Sequence, residues 1–289
     1  MSKVKMLREL IAEPGIIVVP GVYDCIGAKL AERVGFSCVF TSGFGIAAST
    51  LGLPDFGYLT ATEMTATAGR IAGSIEIPLV ADMDTGYGSP LNVMRTVRDL
   101  IGAGVAGFIL EDQEWPKKCG HFEGKRVIPM EEHAEKIRAA RDAAGEEPVI
   151  VARTDARAPL GLREAIRRGR TYVEAGADVL FIEAPESSDE LREIAEAFPD
   201  VHLFANMVEG GKTPIIDPAE LRELGFKIVV FPLTALFAAT KAIEDSFRNL
   251  FERHTTTGMG KGYGLREFEE LVGAGEHREV ERRYSSEPK

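Results

Sequence analysis

Eight short apolar runs punctuate the chain, at residues 16–20, 38–42, 78–82, 106–111, 148–153, 178–183, 201–206 and 228–232. Most are rich in Val, Ile, Leu and Phe and do not alternate with polar residues, the pattern of parallel strands buried on both faces. Between them lie segments with helical spacing. Leu30, Val34 and flanking Ala residues form one stripe; Ile166, Tyr172, Val173 and Ala175 form another. One junction recurs: a helix ends at glycine and a strand follows at once, in ERVGFSCVFTS, IGAGVAGFILED, VEAGADVLFIEA and RELGFKIVVFP. Glycine suits the left-handed residue just past a helix C-terminus. Alternating βα units leave a closed barrel or a doubly wound open sheet. Eight strands, and no G-x-G-x-x-G after the first, favour a (β/α)₈ barrel of the TIM type. After the eighth strand the pattern predicts a long helix over 234–253, a glycine-rich break (TTTGMGKGYG), and a charged helix from 265 to about 284. No linker divides the chain, so we expect one barrel domain over 1–289 with a C-terminal helical tail over about 254–289.

In such a barrel the active site forms at the C-terminal ends of the strands. Polar residues gather there: Ser42-Gly43 after the second run, Asp82 and Asp84 after the third, Glu111-Asp112 after the fourth, Arg153 and Asp155 after the fifth, Glu183 after the sixth and Asn206 after the seventh. One alone reads as a loop polar group; six strand ends converging on one rim read as a site. Asp82, Asp84 and Glu111 supply carboxylates from adjacent strands, which would repel one another without a cation. All-oxygen ligation suits Mg²⁺ or Mn²⁺. The alternative pairs them with Arg153 or the nearby lysines. The segment after the fourth strand, EDQEWPKKCGHFEGKRVIP, is too long for a tight βα turn and reads as a lid. Within it Cys119 stands between Lys118 and His121, a setting expected to lower a thiol pKa. Cys25 and Cys38 read as small core residues.

Composition narrows the partners. A net charge of −11 argues against nucleic acid or anionic membrane as the primary partner. Three cysteines in 289 residues make no disulfide framework and fit a reducing cytoplasm. No run approaches the roughly 18 apolar residues of a membrane span.

LEDQxxPKKCGH, together with TSGFG, LGLPDFG, ADMDTGYG, ARTDA and NMVEGGKTP, resembles the isocitrate lyase/phosphoenolpyruvate mutase superfamily over residues from about 21 to 239. KKCGH after an Glu-Asp pair at a strand end is similar to the lyase branch, which includes isocitrate, 2-methylisocitrate and 2,3-dimethylmalate lyases. The resemblance implies the following roles. Asp82 and Asp84 ligate Mg²⁺ directly, with Asp55 and Glu111 holding metal-bound waters. Ser42, Gly43 and Phe44 form the loop whose amides bind an α-keto acid. Cys119 protonates a leaving carbanion, with His121 and Glu111 beside it as catalytic groups. Gly120, Arg153, Glu183 and Asn206 touch substrate. It also implies a homotetramer with a swapped eighth helix and a small carboxylate substrate cleaved to a keto acid. Two departures from methylisocitrate lyases, Phe40 in place of a tyrosine and Phe237 in place of an arginine, shift the expectation toward 2,3-dimethylmalate or a 2-alkylmalate. Rival expectations are 2-methylisocitrate cleavage, oxaloacetate decarboxylation or hydrolysis, phosphonopyruvate-type phosphoryl transfer, and a non-catalytic barrel.

Overall fold

The computed structural model describes residues 1–145, 147–257 and 262–285. Eight parallel strands close into a barrel in sequence order: β1 (Ile17–Val22), β2 (Val39–Thr41), β3 (Leu79–Asp82), β4 (Gly107–Glu111), β5 (Val149–Thr154), β6 (Val179–Ile182), β7 (His202–Asn206) and β8 (Phe226–Phe231). Each coincides with one of the eight apolar runs to within two residues. The final pairing, β1 with β8, runs from Ile17 opposite Ile228 to Pro20 opposite Phe231. The chain is therefore a (β/α)₈ barrel of the TIM type.

Alternation along the strands explains both the core and the rim. Phe40, Val80, Ile109, Val151, Phe181 and Phe204 share one buried apolar cluster with Val19, Ile228 and Val230. Two residues further along each strand, on the same inward face, stand Ser42, Asp82, Glu111, Arg153, Glu183 and Asn206. One pleat thus fills the barrel with apolar side chains and crowns it with polar ones. The opposite face of the strands packs on the helices, with Ile71, Leu79, Leu100, Phe108, Ile137 and Tyr172 fully buried there.

An N-terminal helix, Lys3–Ala12, was not expected from the sequence pattern. It buries Leu7 and Ile11 in the inner cluster, at the end of the strands opposite the rim. Lys227 donates to the carbonyls of Glu13 and Gly15 just beyond it.

The described residues form two compact units, Met1–Leu236 and Phe237–Lys289. The helix Thr234–Arg253 follows β8 as the pattern predicts. The charged tail is two helices, Leu265–Leu271 and Ala274–Tyr284, rather than one. Gly273, at φ 73°, separates them. Residues 258–261 of the glycine-rich break lie outside the described residues. Among the described residues no helix is long and apolar enough to cross a membrane.

Candidate active site

The rim carries two charge clusters, one of carboxylates around Lys117 and one of carboxylates around Arg153 and Lys125. In the first cluster Asp82 Oδ2 accepts the Gly43 N–H at 3.0 Å, and Asp82 Oδ1 accepts the Asp84 N–H at 3.0 Å. Lys117, from the lid, reaches down among these carboxylates. Its Nζ lies 2.7 Å from Asp55 Oδ1 and 2.7 Å from Asp84 Oδ1, fully buried. The Tyr87 hydroxyl donates to Asp84 Oδ2 at 3.0 Å. Burial pushes the Asp84 carboxyl up to about 6 against the opposing pull of Lys117. Asp84 and Tyr87 both hold positive φ, 49° and 59°, the kind of backbone strain that collects at functional sites.

The residues present fit a hard divalent cation. Glu111 Oε1 is buried with no hydrogen-bond partner, a costly state for a carboxylate oxygen, while Asp84 Oδ1 is met by Lys117 Nζ at 2.7 Å. A Cβ added at Gly43 would come within about 3.1–3.2 Å of Asp82 Oδ2, Asp84 Oδ1 and Lys117 Nζ, so three charged groups face one small space. Among the described residues no three acidic, His or Cys side chains converge tightly enough to ligate an ion by themselves.

In the second cluster Arg153 is shared by three carboxylates: Asp155 at 2.8 Å, Glu111 at 3.3 Å and Glu183 at 3.3 Å. Arg153 and Lys117 divide the acidic groups between them, the pairing with Arg153 and a nearby lysine that the sequence left as the alternative. Burial pushes the Asp155 carboxyl upward, yet Arg153 and Lys125 outweigh it and hold the group well below the usual range. Burial likewise dominates at Glu111 and raises its carboxyl well above the usual range, with Arg153 opposing. Asn206 Nδ2 faces both Glu183 oxygens at 3.3 and 3.4 Å.

The lid lies across the cavity. Gln113 brackets Lys118, accepting its N–H and donating to its carbonyl, and Gln113 bridges Val127 across the loop. The Cys119 N–H donates to the Asp55 carbonyl at 3.1 Å. His121 Nδ1 accepts the Lys212 N–H at 3.0 Å, while its Nε2 lies 3.4 Å from Glu183 Oε1. Desolvation lowers the His121 pKa against the pull of Glu183, so the ring is neutral. A cavity is enclosed below, lined by Cys119, Gly120, His121, Arg153, Glu183 and Asn206, with Ser42, Asp55 and Asp82 opposite. Its apolar wall is Phe40, Phe44, Phe181, Phe204, Val208, Val230, Pro232 and Leu233.

Ser42, Phe44, Asp55, Asp82, Cys119, Gly120, His121, Arg153, Glu183 and Asn206 line one cavity, with Gly43, Asp84 and Glu111 in contact with its lining, but three expectations change. Cys119 does not have a lowered pKa: burial pushes its thiol up to about 11. Lys118 supplies no charge to it, because its Nζ turns away to the Gly124 carbonyl. Ser42, Gly43 and Phe44 are not a loop; Ser42 caps the helix Gly43–Leu51, and the Gly43 amide serves Asp82. Remaining amides of that first turn still form an anion-binding helix N-terminus. Sequence reasoning missed Lys117 and Tyr87. Asp55, Asp82 and Asp84, crowded around one point, were the signal that a second cation belongs there. Phe237, placed by the sequence beside the substrate, begins the second unit.

A (β/α)₈ barrel whose strand ends gather buried carboxylates around Lys117 and Arg153, beneath a cysteine-bearing lid, has the architecture of an enzyme. The phosphoenolpyruvate phosphomutase family model matches residues 7–251. The chain belongs to the isocitrate lyase/phosphoenolpyruvate mutase superfamily. It is 50% identical over 285 residues to a chloroplastic carboxyvinyl-carboxyphosphonate phosphorylmutase of Arabidopsis thaliana, covering 96% of this chain and 84% of that one. It is 45% identical over 288 residues to 2,3-dimethylmalate lyase of Eubacterium barkeri, covering 99% of each. The structure of oxaloacetate acetylhydrolase with 3,3-difluorooxalacetate superposes with a TM-score of 0.94 at 36% identity, covering 100% of this chain and 99% of that one.

Proposed function

We propose that the protein is a Mg²⁺-dependent carbon–carbon lyase that cleaves a 2-hydroxy dicarboxylate of the 2-alkylmalate type, 2,3-dimethylmalate included, to pyruvate or a related keto acid and a carboxylate. One observation carries this reading: a half-buried, neutral thiol, Cys119, is held over the cavity between carboxylates and Arg153. A thiol pushed up to about 11 keeps its proton at neutral pH, which is what a general acid toward carbon requires. A phosphoryl transfer leaves that thiol no carbanion to protonate, and the lyase reading is favoured over it.

Asp82 and Asp84, with Asp55 and Glu111 through waters, would hold the Mg²⁺. Bound there, the ion supplies Lewis acidity to the 2-oxygen and the neighbouring carboxylate. The first turn of the helix Gly43–Leu51 offers amides to that carboxylate. Arg153 and Asn206 orient the far carboxylate. The 2-hydroxyl gives its proton to a carboxylate of the rim, the freed electron pair on oxygen becomes the keto C=O, and as the bond between C2 and C3 breaks its electron pair moves onto the C3 fragment, a carboxylate-stabilised carbanion. His121 is neutral and its Nδ1 accepts a hydrogen bond, so its proton is on Nε2, where it donates to the charge growing on the carboxylate oxygens. Cys119 then transfers its proton to carbon. The closed lid keeps bulk water from quenching the carbanion.

The helix Thr234–Arg253 carries exposed Ile243, Phe247, Leu250 and Phe251. We assign that stripe to contact between copies in a homotetramer working in a reducing cytoplasm, which mass measurement in solution would check.

The test of activity is incubation with Mg²⁺ and a panel of 2-alkylmalates, methylisocitrate, isocitrate and oxaloacetate, following keto-acid release. Cleavage is expected from the alkylmalates and lost in Cys119→Ser, which still binds oxalate. A Cys119→Ser variant with wild-type turnover would reduce Cys119 to a loop residue.

A further inference from the structure

Outside the lining of the cavity, Lys125 has a completely enclosed cationic side chain. It sits on the return arm of the lid, and its side chain, like that of Asp155, is fully buried. Its ammonium donates to the Gly120 carbonyl and, at 2.7 Å, to Asp155 Oδ1. A buried ammonium is expensive unless paired and hydrogen-bonded, so this is a built contact. Its two partners are informative. Gly120 directly follows Cys119, and its backbone lies so close to Arg153 and Glu183 that an added Cβ would meet both at about 2.5–2.6 Å. Asp155 accepts from Arg153 through Nε at 2.8 Å and Nη2 at 3.0 Å, and so fixes the guanidinium. Asp155 is itself anchored, its N–H donating to Asp112, which Thr154, Arg168 and Tyr172 hold in place.

We propose that Lys125 is the latch of the lid: a positioning residue that ties the turn carrying Cys119 to the carboxylate that orients Arg153, so that the thiol and the guanidinium are placed together. Two other fastenings of the lid are different in kind. Lys212 with Glu123 is a solvent-facing ion pair, and such pairs hold little. The Cys119 amide to Asp55 is one neutral hydrogen bond. Lys117, ahead of Cys119, also joins the lid to the barrel through buried opposite charges, but to Asp55 and Asp84; Lys125 is the buried charge that ties the carbonyl just after Cys119 to the carboxylate holding Arg153. This rests on the reading of Cys119 and Arg153 as site residues, but its test needs no substrate, so the latch and the lyase reading can fail separately.

The experiment compares alkylation of Cys119 by iodoacetamide, read by peptide mass, in wild type, Lys125→Met and Lys125→Arg, with fully buried Cys38 as the internal control. Loss of the latch lets the turn open locally, so Cys119 in Lys125→Met is expected to react at least about tenfold faster. Cys38 stays protected. Lys125→Arg, which retains donors for both partners, keeps protection close to wild type. If Lys125→Met does not fold, Lys125→Gln, shorter and uncharged, carries the comparison, with an intermediate rate expected. Wild-type protection of Cys119 in a folded Met or Gln variant would overturn the proposal. So would Cys38 becoming reactive in step with Cys119, because that would show general loosening rather than release of the lid.

Discussion

The backbone N–H of Lys212 donates to His121 Nδ1 at 3.0 Å, and this one bond decides where the proton of the His121 ring resides. Nδ1 must be the unprotonated nitrogen, so a neutral ring carries its hydrogen on Nε2. Nε2 lies 3.4 Å from Glu183 Oε1 without a hydrogen bond aligned on it. The N–H is free to face a substrate oxygen. The β7 loop, far from Cys119 in sequence, therefore sets the chemistry of a lid residue.

Gly211 is what permits that approach. A Cβ there would meet His121 Nδ1 at 2.8 Å and its Cε1 at 2.9 Å. Gly211→Ala is expected to push the ring aside and lower kcat/KM by about 100-fold, the scale of a misplacement of about 1 Å. The melting temperature should hardly change. Steady-state kinetics beside a thermal melt checks this, and wild-type kinetics would show that His121 tolerates displacement.

Asp84→Asn keeps the shape of the side chain and a partner for Tyr87 but removes the charge. With Asp84 Oδ1 facing the space over Gly43, Mg²⁺ affinity measured by calorimetry is expected to fall by about 10- to 100-fold, since a hard cation selects charged oxygens. The fold should persist, because Lys117 keeps Asp55 as partner. Equal affinity in variant and wild type would move the ion away from Asp84.

The sequence made the barrel legible because parallel strands buried on both faces leave unbroken apolar runs, and the pleat carried Asp82, Glu111, Arg153 and Glu183 to one rim. What it left hidden depends on side-chain direction. Lys117 and Lys118 are adjacent and chemically alike, yet one enters the carboxylates and the other turns to Gly124. For the same reason the thiol shift had the wrong sign: charges near Cys119 in sequence are not its surroundings, and enclosure by the cavity outweighs them. The helix Lys3–Ala12 was missed although Val4, Leu7, Leu10 and Ile11 recur at helical spacing, because the stripe is only ten residues long and precedes the first strand.

His133 is fully buried, edge-on to Tyr172 at 4.6 Å, and burial lowers its pKa to about 3, with Lys136 and Arg168 reinforcing the shift. The folded protein therefore binds fewer protons than the unfolded chain between about pH 6.5 and 3. Stability from this source is full above about pH 6.5 and falls as pH drops, by up to about 1.4 kcal/mol per unit. His133→Phe is expected to flatten the acid limb of the stability curve between pH 6.5 and 4. Urea unfolding across that range tests it; parallel curves for the two proteins would rule His133 out.

Substrate choice follows from the apolar wall of the cavity. Phe40 and Phe181 both pack against Phe204, at 6.3 and 4.7 Å between ring centroids, and Leu233 joins them at the end of β8. None of these can pair a carboxylate, and the guanidinium of Arg153 is already shared by three acidic groups. Desolvating a third substrate carboxylate against that wall would cost roughly several kcal/mol. An alkyl group there gains about 0.8 kcal/mol per buried methylene, close to fourfold in binding. Higher kcat/KM is therefore expected for 2,3-dimethylmalate or a 2-alkylmalate than for methylisocitrate. Leu233→Arg, which sets a cation at the wall, should narrow or reverse the preference. Phe237→Arg should do so only if the second unit brings that residue to a site. Side-by-side kinetics of both substrates with the three proteins decides the matter. Wild type cleaving methylisocitrate best would mean that the wall does not face the substrate's far end, and the methylisocitrate lyase reading would replace the alkylmalate one.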